Sequence, residues 1–77
     1  MSDTLTFLHH LKNTRALLSQ LTVISPSVIQ RRYRILYVTA VRIIEELQRE
    51  GRVGLDWHAG KGGYEVIQKK ETTDEAV

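Results

Sequence analysis

The stretch Ser25 to Gly54, SPSVIQRRYRILYVTAVRIIEELQREGRVG, decides how this chain is read. Ser25 suits an N-cap and Pro26 the first helical position, where a fixed φ helps and a missing N–H costs nothing. A short helix is expected over Pro26 to Tyr33, with Val28 and Ile29 inward and Gln30, Arg31 and Arg34 near its end. Ile35 and Leu36 mark a connection, with Ile35 as a plug between two helices. From Tyr37 to Glu50, the residues Tyr37, Ala40, Val41, Ile44 and Leu47 recur at helical spacing. Gly51 stops that helix at its C-cap. The opposite face carries Val38, Thr39, Arg42, Glu45, Glu46 and Arg49, with Glu45 and Arg49 in the favourable i, i+4 order.

Two helices joined by a tight turn, with Arg31, Arg32 and Arg34 at the turn and Arg42 beyond it, make a helix–turn–helix. Such a pair commonly sets its second helix in a DNA groove. The carboxylates of the second helix come late, so its N-terminal half meets phosphates without repulsion. A bland reading stands beside this one: arginines in a last turn complement the helix dipole and often form only a solvated face.

The flanks extend the picture. Residues 3 to 20 read as a first helix, capped by Asp3 or Thr4. Its apolar side is Leu5, Leu8, Leu11 and Leu18, widened by Phe7 and Leu17 and interrupted by Arg15. His9 and His10 are neighbours and point about 100° apart on a helix, a poor geometry for one metal ion. Leu21 to Ile24 reads as a brief strand. After Gly51, Arg52 to Leu55 and Tyr64 to Ile67 read as two strands around a glycine-rich tip holding Trp57 and Lys61, a β-hairpin. Trp57 either packs under that hairpin or stacks outward. The tip is not followed by a helix and lacks the Lys-Ser/Thr ending of a phosphate-binding loop, so it does not read as a nucleotide site. Residues 68–77 are polar and aperiodic and read as a disordered tail behind a single domain over residues 1–67.

Composition bounds the function. A chain of 77 residues forms one small domain. Having no cysteine, it holds neither a disulfide nor a thiolate metal site. No apolar run reaches the roughly 18 residues of a membrane span, and no signal-peptide pattern opens the chain, so a cytoplasmic protein without membrane contact is expected. The net charge is only +2, but from Arg31 to Gly54 six arginines stand against three glutamates. Arginine, with its planar fork of donors, suits phosphate and guanine. No paired carboxylates, cysteine nucleophile or metal cluster suggests an enzyme or a cofactor.

Helix, strand, helix, helix and hairpin in that order imply an α+β winged helix–turn–helix with a small antiparallel sheet. Within it the run VIQRRYRI, then Tyr37, Ala40, Arg42, Ile43 and Ile44, then EELQREGRVG and a hairpin ending Glu65-Val66-Ile67, resembles the gamma domain of FtsK-type DNA translocases. The resemblance covers residues 20 to 67. It implies a winged helix that reads short G-rich sequences in duplex DNA and touches a site-specific recombinase. It places Gln30, Arg31, Arg32, Arg34 and Arg42 on positions of the family motif. Leu36 stands where the family shows a glycine, and Val38-Thr39 where it shows an asparagine–arginine pair at the base-reading start of the helix. The changed pair implies a different target, with contacts to a thymine methyl or a single hydroxyl hydrogen bond. The chain opens on methionine and contains no motor, which implies a free-standing relative, from a mobile element, and not a translocase.

Sequence-specific binding of double-stranded DNA without catalysis is therefore the leading expectation. Val38, Thr39 and Arg42 would lie near base edges, Gln30, Arg31, Arg32 and Arg34 on phosphates, and Lys61 at the wing tip on an adjacent backbone or minor groove. One small module makes few contacts, so a homodimer or side-by-side copies on DNA are expected. The process is transcription regulation, recombination or DNA partitioning. The other reading is a protein-interaction module docking on a recombinase or similar partner, signalled by exposed Leu36, Val38 and Trp57.

Overall fold

The computed structural model describes residues 3–67, and the tail expected over residues 68–77 lies outside them. Helix α1 (Asp3–Leu17) passes through a 3-10 turn, Leu18–Gln20, into β1 (Val23–Ile24). Helices α2 (Pro26–Tyr33) and α3 (Tyr37–Arg49) follow, then β2 (Val53–His58) and β3 (Gly63–Val66). The strands form one antiparallel sheet in the order β1-β3-β2. Three helices on a three-stranded sheet give the expected α+β winged-helix layout.

The core joins every element. Leu11 and Leu18 come from the first helix and its 3-10 turn, Ile24 from β1, Ile29 from α2 and Val53 from β2. Ala40, Ile43, Ile44 and Leu47 of α3 complete it, and Tyr64 and Val66 of β3 pack against it. Ile43 takes the place expected of Tyr37, which is exposed, because the buried stripe of α3 is centred a little further round the helix. Ile35 is half-buried against the core, as a plug between α2 and α3 should be. On α2, Ile29 is buried but Val28 faces outward.

The face of α1 differs most from expectation. Leu5, 70% exposed, and Leu8 point to solvent, while Thr14 is fully buried. Thr14 tolerates burial because its hydroxyl donates to the His10 carbonyl one turn back, 2.7 Å away, so the hydroxyl itself is satisfied. The packed seam is Phe7, Leu11, Thr14 and Leu18. The α-helix also ends at Leu17, short of residue 20.

The caps explain where the other helices begin and end. The Val28 N–H donates to Ser25 Oγ at 3.4 Å, with Pro26 at the first turn. Beyond α3, the Gly51 N–H donates to the Gln48 carbonyl and the Arg52 N–H to the Leu47 carbonyl, both at 3.0 Å. Gly51 sits at φ 78°, which completes a Schellman motif. An ion-pair group seals the same corner: Arg15 Nε and Arg52 Nε each donate to Glu50 Oε1 at 2.9 Å. Hydrogen bonding from Arg15, followed by that from Arg52, holds the Glu50 carboxyl below its ordinary range. Arg49 pairs with Glu46 at 3.1 Å and not with the expected Glu45.

The strands are shifted from expectation. β1 is shorter than residues 21–24, and β2 runs on to His58, so Trp57 lies on a strand and the tip shrinks to residues 59–62. The register slips within β2: Val53 pairs with Val66 but Trp57 with Tyr64, so residues 54–56 face Glu65 alone. Such bulges re-aim side chains. At Gly63 a Cβ would stand 2.6 Å from the Ile24 carbonyl oxygen, so only glycine lets β3 lie this close to β1.

Candidate nucleic-acid interface

Helix α3 turns Ala40, Ile43, Ile44 and Leu47 into the core and leaves Val38, Arg42, Glu45 and Arg49 exposed on the opposite side. Their spacing of four, three and four residues makes one straight stripe. Val38, at 60% exposed, stands at its N-terminal end. No carboxylate precedes Glu45 in the helix.

On the α1 side of this stripe lies a groove lined by Phe7, Arg34, Leu36, Thr39 and Arg42, among others. The Arg42 guanidinium stands 5.1 Å from the centre of the Phe7 ring, within cation–π range, so α1 steadies an arginine of α3. Arg34 reaches the groove through an unusual backbone. It ends α2 in the left-handed conformation (φ 56°, ψ 49°), and its N–H donates to the Gln30 carbonyl at 2.8 Å. An L-residue held there costs roughly 1–2 kcal/mol relative to a right-handed one. The reversal lets the chain enter α3 within a few residues.

The structure divides the residues expected to bind DNA. Arg34, Thr39 and Arg42 share the groove, with Thr39 half-buried on its wall and off the outermost stripe. Arg31 and Arg32 are exposed on another face, beside Leu17, Leu21 and Val28. Gln30 is half-buried, and Lys61 is exposed at the hairpin tip. Glu45 and Arg49 belong to the stripe but were not among the expected contacts. Their exposure could have been foreseen from helical spacing, since both fall in line with Val38 and Arg42.

The hairpin side of α3 is different. Tyr37, Val41, Gln48, Trp57 and Tyr64 line a second groove there, with Glu45 at its edge. The Trp57 and Tyr64 rings meet edge to face, 5.2 Å apart, so Trp57 packs on the hairpin and still presents surface outward. Elsewhere His9 lies 3.1 Å from the Asn13 amide, and the His10 ring rests 5.4 Å from that of Tyr33. Among the described residues no group of His, Cys, Asp or Glu is arranged to hold a metal ion, and no helix is long and apolar enough to cross a membrane.

A helix packed on a bulged hairpin, with its cations on one flank and an exposed stripe between, defines a DNA-binding winged helix. The family model of the FtsK gamma domain matches residues 10–67, and the chain belongs to that family. Members of this family bind double-stranded DNA, the partner expected above. No curated protein and no solved structure matches the chain.

Proposed function

We propose that the protein is a non-catalytic, sequence-specific reader of duplex DNA that sets α3 in the major groove. The observation that carries this is the stripe Val38–Arg42–Glu45–Arg49, flanked by the Arg34 groove. An arginine on such a stripe matches guanine O6 and N7, a carboxylate accepts from a cytosine amino group, and valine meets a thymine methyl. Arg34 holds an adjacent phosphate, and Lys61 reaches the backbone or minor groove beyond the hairpin. Arg31 and Arg32 reach a more distant stretch of backbone from their separate face. The setting is cytoplasmic, the protein acts as a dimer or as side-by-side copies, and the process is transcription regulation, recombination or partitioning.

Selection from a random duplex library tests this directly and returns the site. A defined motif is expected, with a clearly negative slope of log K against log salt. Arg42→Ala should relax preference at one base pair, whereas Arg31→Ala should weaken all sequences alike. Undetectable duplex binding at low salt would sink the proposal.

Docking on a recombinase or similar protein is the second reading, favoured by the exposed apolar residues Leu36 (71%), Val38 (60%) and Trp57 (52%). Leu36→Ser would then abolish partner capture.

A further inference from the structure

The geometry points to an apolar reading flank on the hairpin side of α3, where Trp57 and Tyr37 contact thymine C5-methyl groups. This rests on the docking of α3 proposed above and adds the hairpin to the base-reading surface, in place of a purely backbone-binding wing.

The two flanks of α3 differ in chemistry. Arg34 and Arg42 line the α1 side. The hairpin side has Tyr37, Val41, Trp57 and Tyr64, and its one charged lining residue is Glu45. A carboxylate repels phosphate, so the backbone is held on the α1 side and an uncharged part of the duplex faces the aromatic groove. The groove is continuous with the DNA-facing stripe through Glu45, which belongs to both. Within a major groove the apolar feature of the base edges is the thymine methyl.

The rings are placed for such contact. Trp57 is held against Tyr64, which fixes the indole, yet it remains 52% exposed. Tyr37, at 55%, opens α3 on the same groove. The slip in β2 directly before Trp57 is the local device that aims it there. An indole fixed before binding loses little entropy when it binds.

The chain has one tryptophan, so its fluorescence reports this groove. Duplexes carrying the selected site are compared with the same duplexes in which single thymines are replaced by deoxyuridine, which lacks only the methyl. Wild-type protein should lose about fourfold in affinity for each methyl in contact, the value of one buried carbon. Trp57 emission should change on binding. Trp57→Ala should remove the penalty at its thymine while leaving the salt slope intact, since no phosphate contact is lost. Tyr37→Ala gives an independent check that leaves the sheet untouched, and Trp57→Phe keeps a ring on Tyr64 and should retain part of the effect. Equal affinity for thymine and deoxyuridine duplexes overturns the inference, as does Trp57 emission indifferent to bound DNA. So does methyl dependence that persists in Trp57→Ala and vanishes in Val38→Ala. In all three cases DNA reading by α3 still stands. Absence of any duplex binding overturns both.

Discussion

Helices α2 and α3 both end in a left-handed residue, but α3 uses Gly51 and α2 uses Arg34. At Gly51 the conformation costs little, because glycine has no Cβ to clash, and the Schellman bonds satisfy the last carbonyls. At Arg34 the same conformation is strained, and the side chain it carries stands beside Arg42 and Thr39. One end is built for stability. The other accepts strain and places a cation in the groove on the α1 side of α3, which the proposed docking turns to the duplex backbone.

Exchanging the residues breaks this contrast in measurable ways. Gly51→Ala has open space around the new Cβ, so its cost is purely conformational. It should destabilise by roughly 1–2 kcal/mol, lowering Tm by about 4–8 °C for each kcal/mol in a domain of this size. Gly51→Asn should cost less, because asparagine tolerates the left-handed region. Arg34→Gly should act the other way, raising stability by up to about 1 kcal/mol as strain is relieved. The same variant should reduce the salt slope of DNA binding by about one, as one phosphate contact is lost. Arg34→Ala separates the two effects: it loses the contact and gains no stability. A loss of stability in Arg34→Gly would show that the arginine is structural.

The smallest effect belongs to the ion pairs that seal the α3 end. The Glu50 carboxyl is held below its ordinary range by hydrogen bonds from Arg15 and Arg52. Its contribution is therefore fully present above the ordinary glutamate pKa and disappears as pH falls through the lowered value in the folded protein. Glu50→Gln should remove this part of the acid dependence and cost under about 1 kcal/mol near neutral pH, since the group lies at the surface. Thermal melts between pH 3 and pH 7 would measure it.

What could be read in advance follows how strongly local chemistry constrains the chain. Helix α3 was legible because its core face is wholly apolar and Gly51 marks its end. Helix α2 was legible from Ser25 and Pro26. The face of α1 was not, because Leu5 and Leu8 outvote Thr14 in any count of hydrophobic spacing. The bond from Thr14 to the His10 carbonyl, which spacing does not reveal, is what lets a threonine sit in the buried seam with Phe7, Leu11 and Leu18. Within the interface, the stripe follows from periodicity. The separation of Arg31 and Arg32 from Arg34 does not, because it depends on a left-handed backbone for which arginine gives no signal. The outward aim of Trp57 depends on a register slip in β2 that no turn residue announces.

The central position of β3 governs the order in which the protein can be made. Among the described strands β1 pairs only with β3, residue 24 with residue 64. A ribosome adding about 5–20 residues per second takes seconds to pass from one to the other. Until then the nascent chain has its helices but no sheet to close beneath them. Ile24, completely buried in the finished protein, has no strand partner through that interval. The sheet thus waits until β3 has been made, and a chain cut short within the hairpin would lack its central strand.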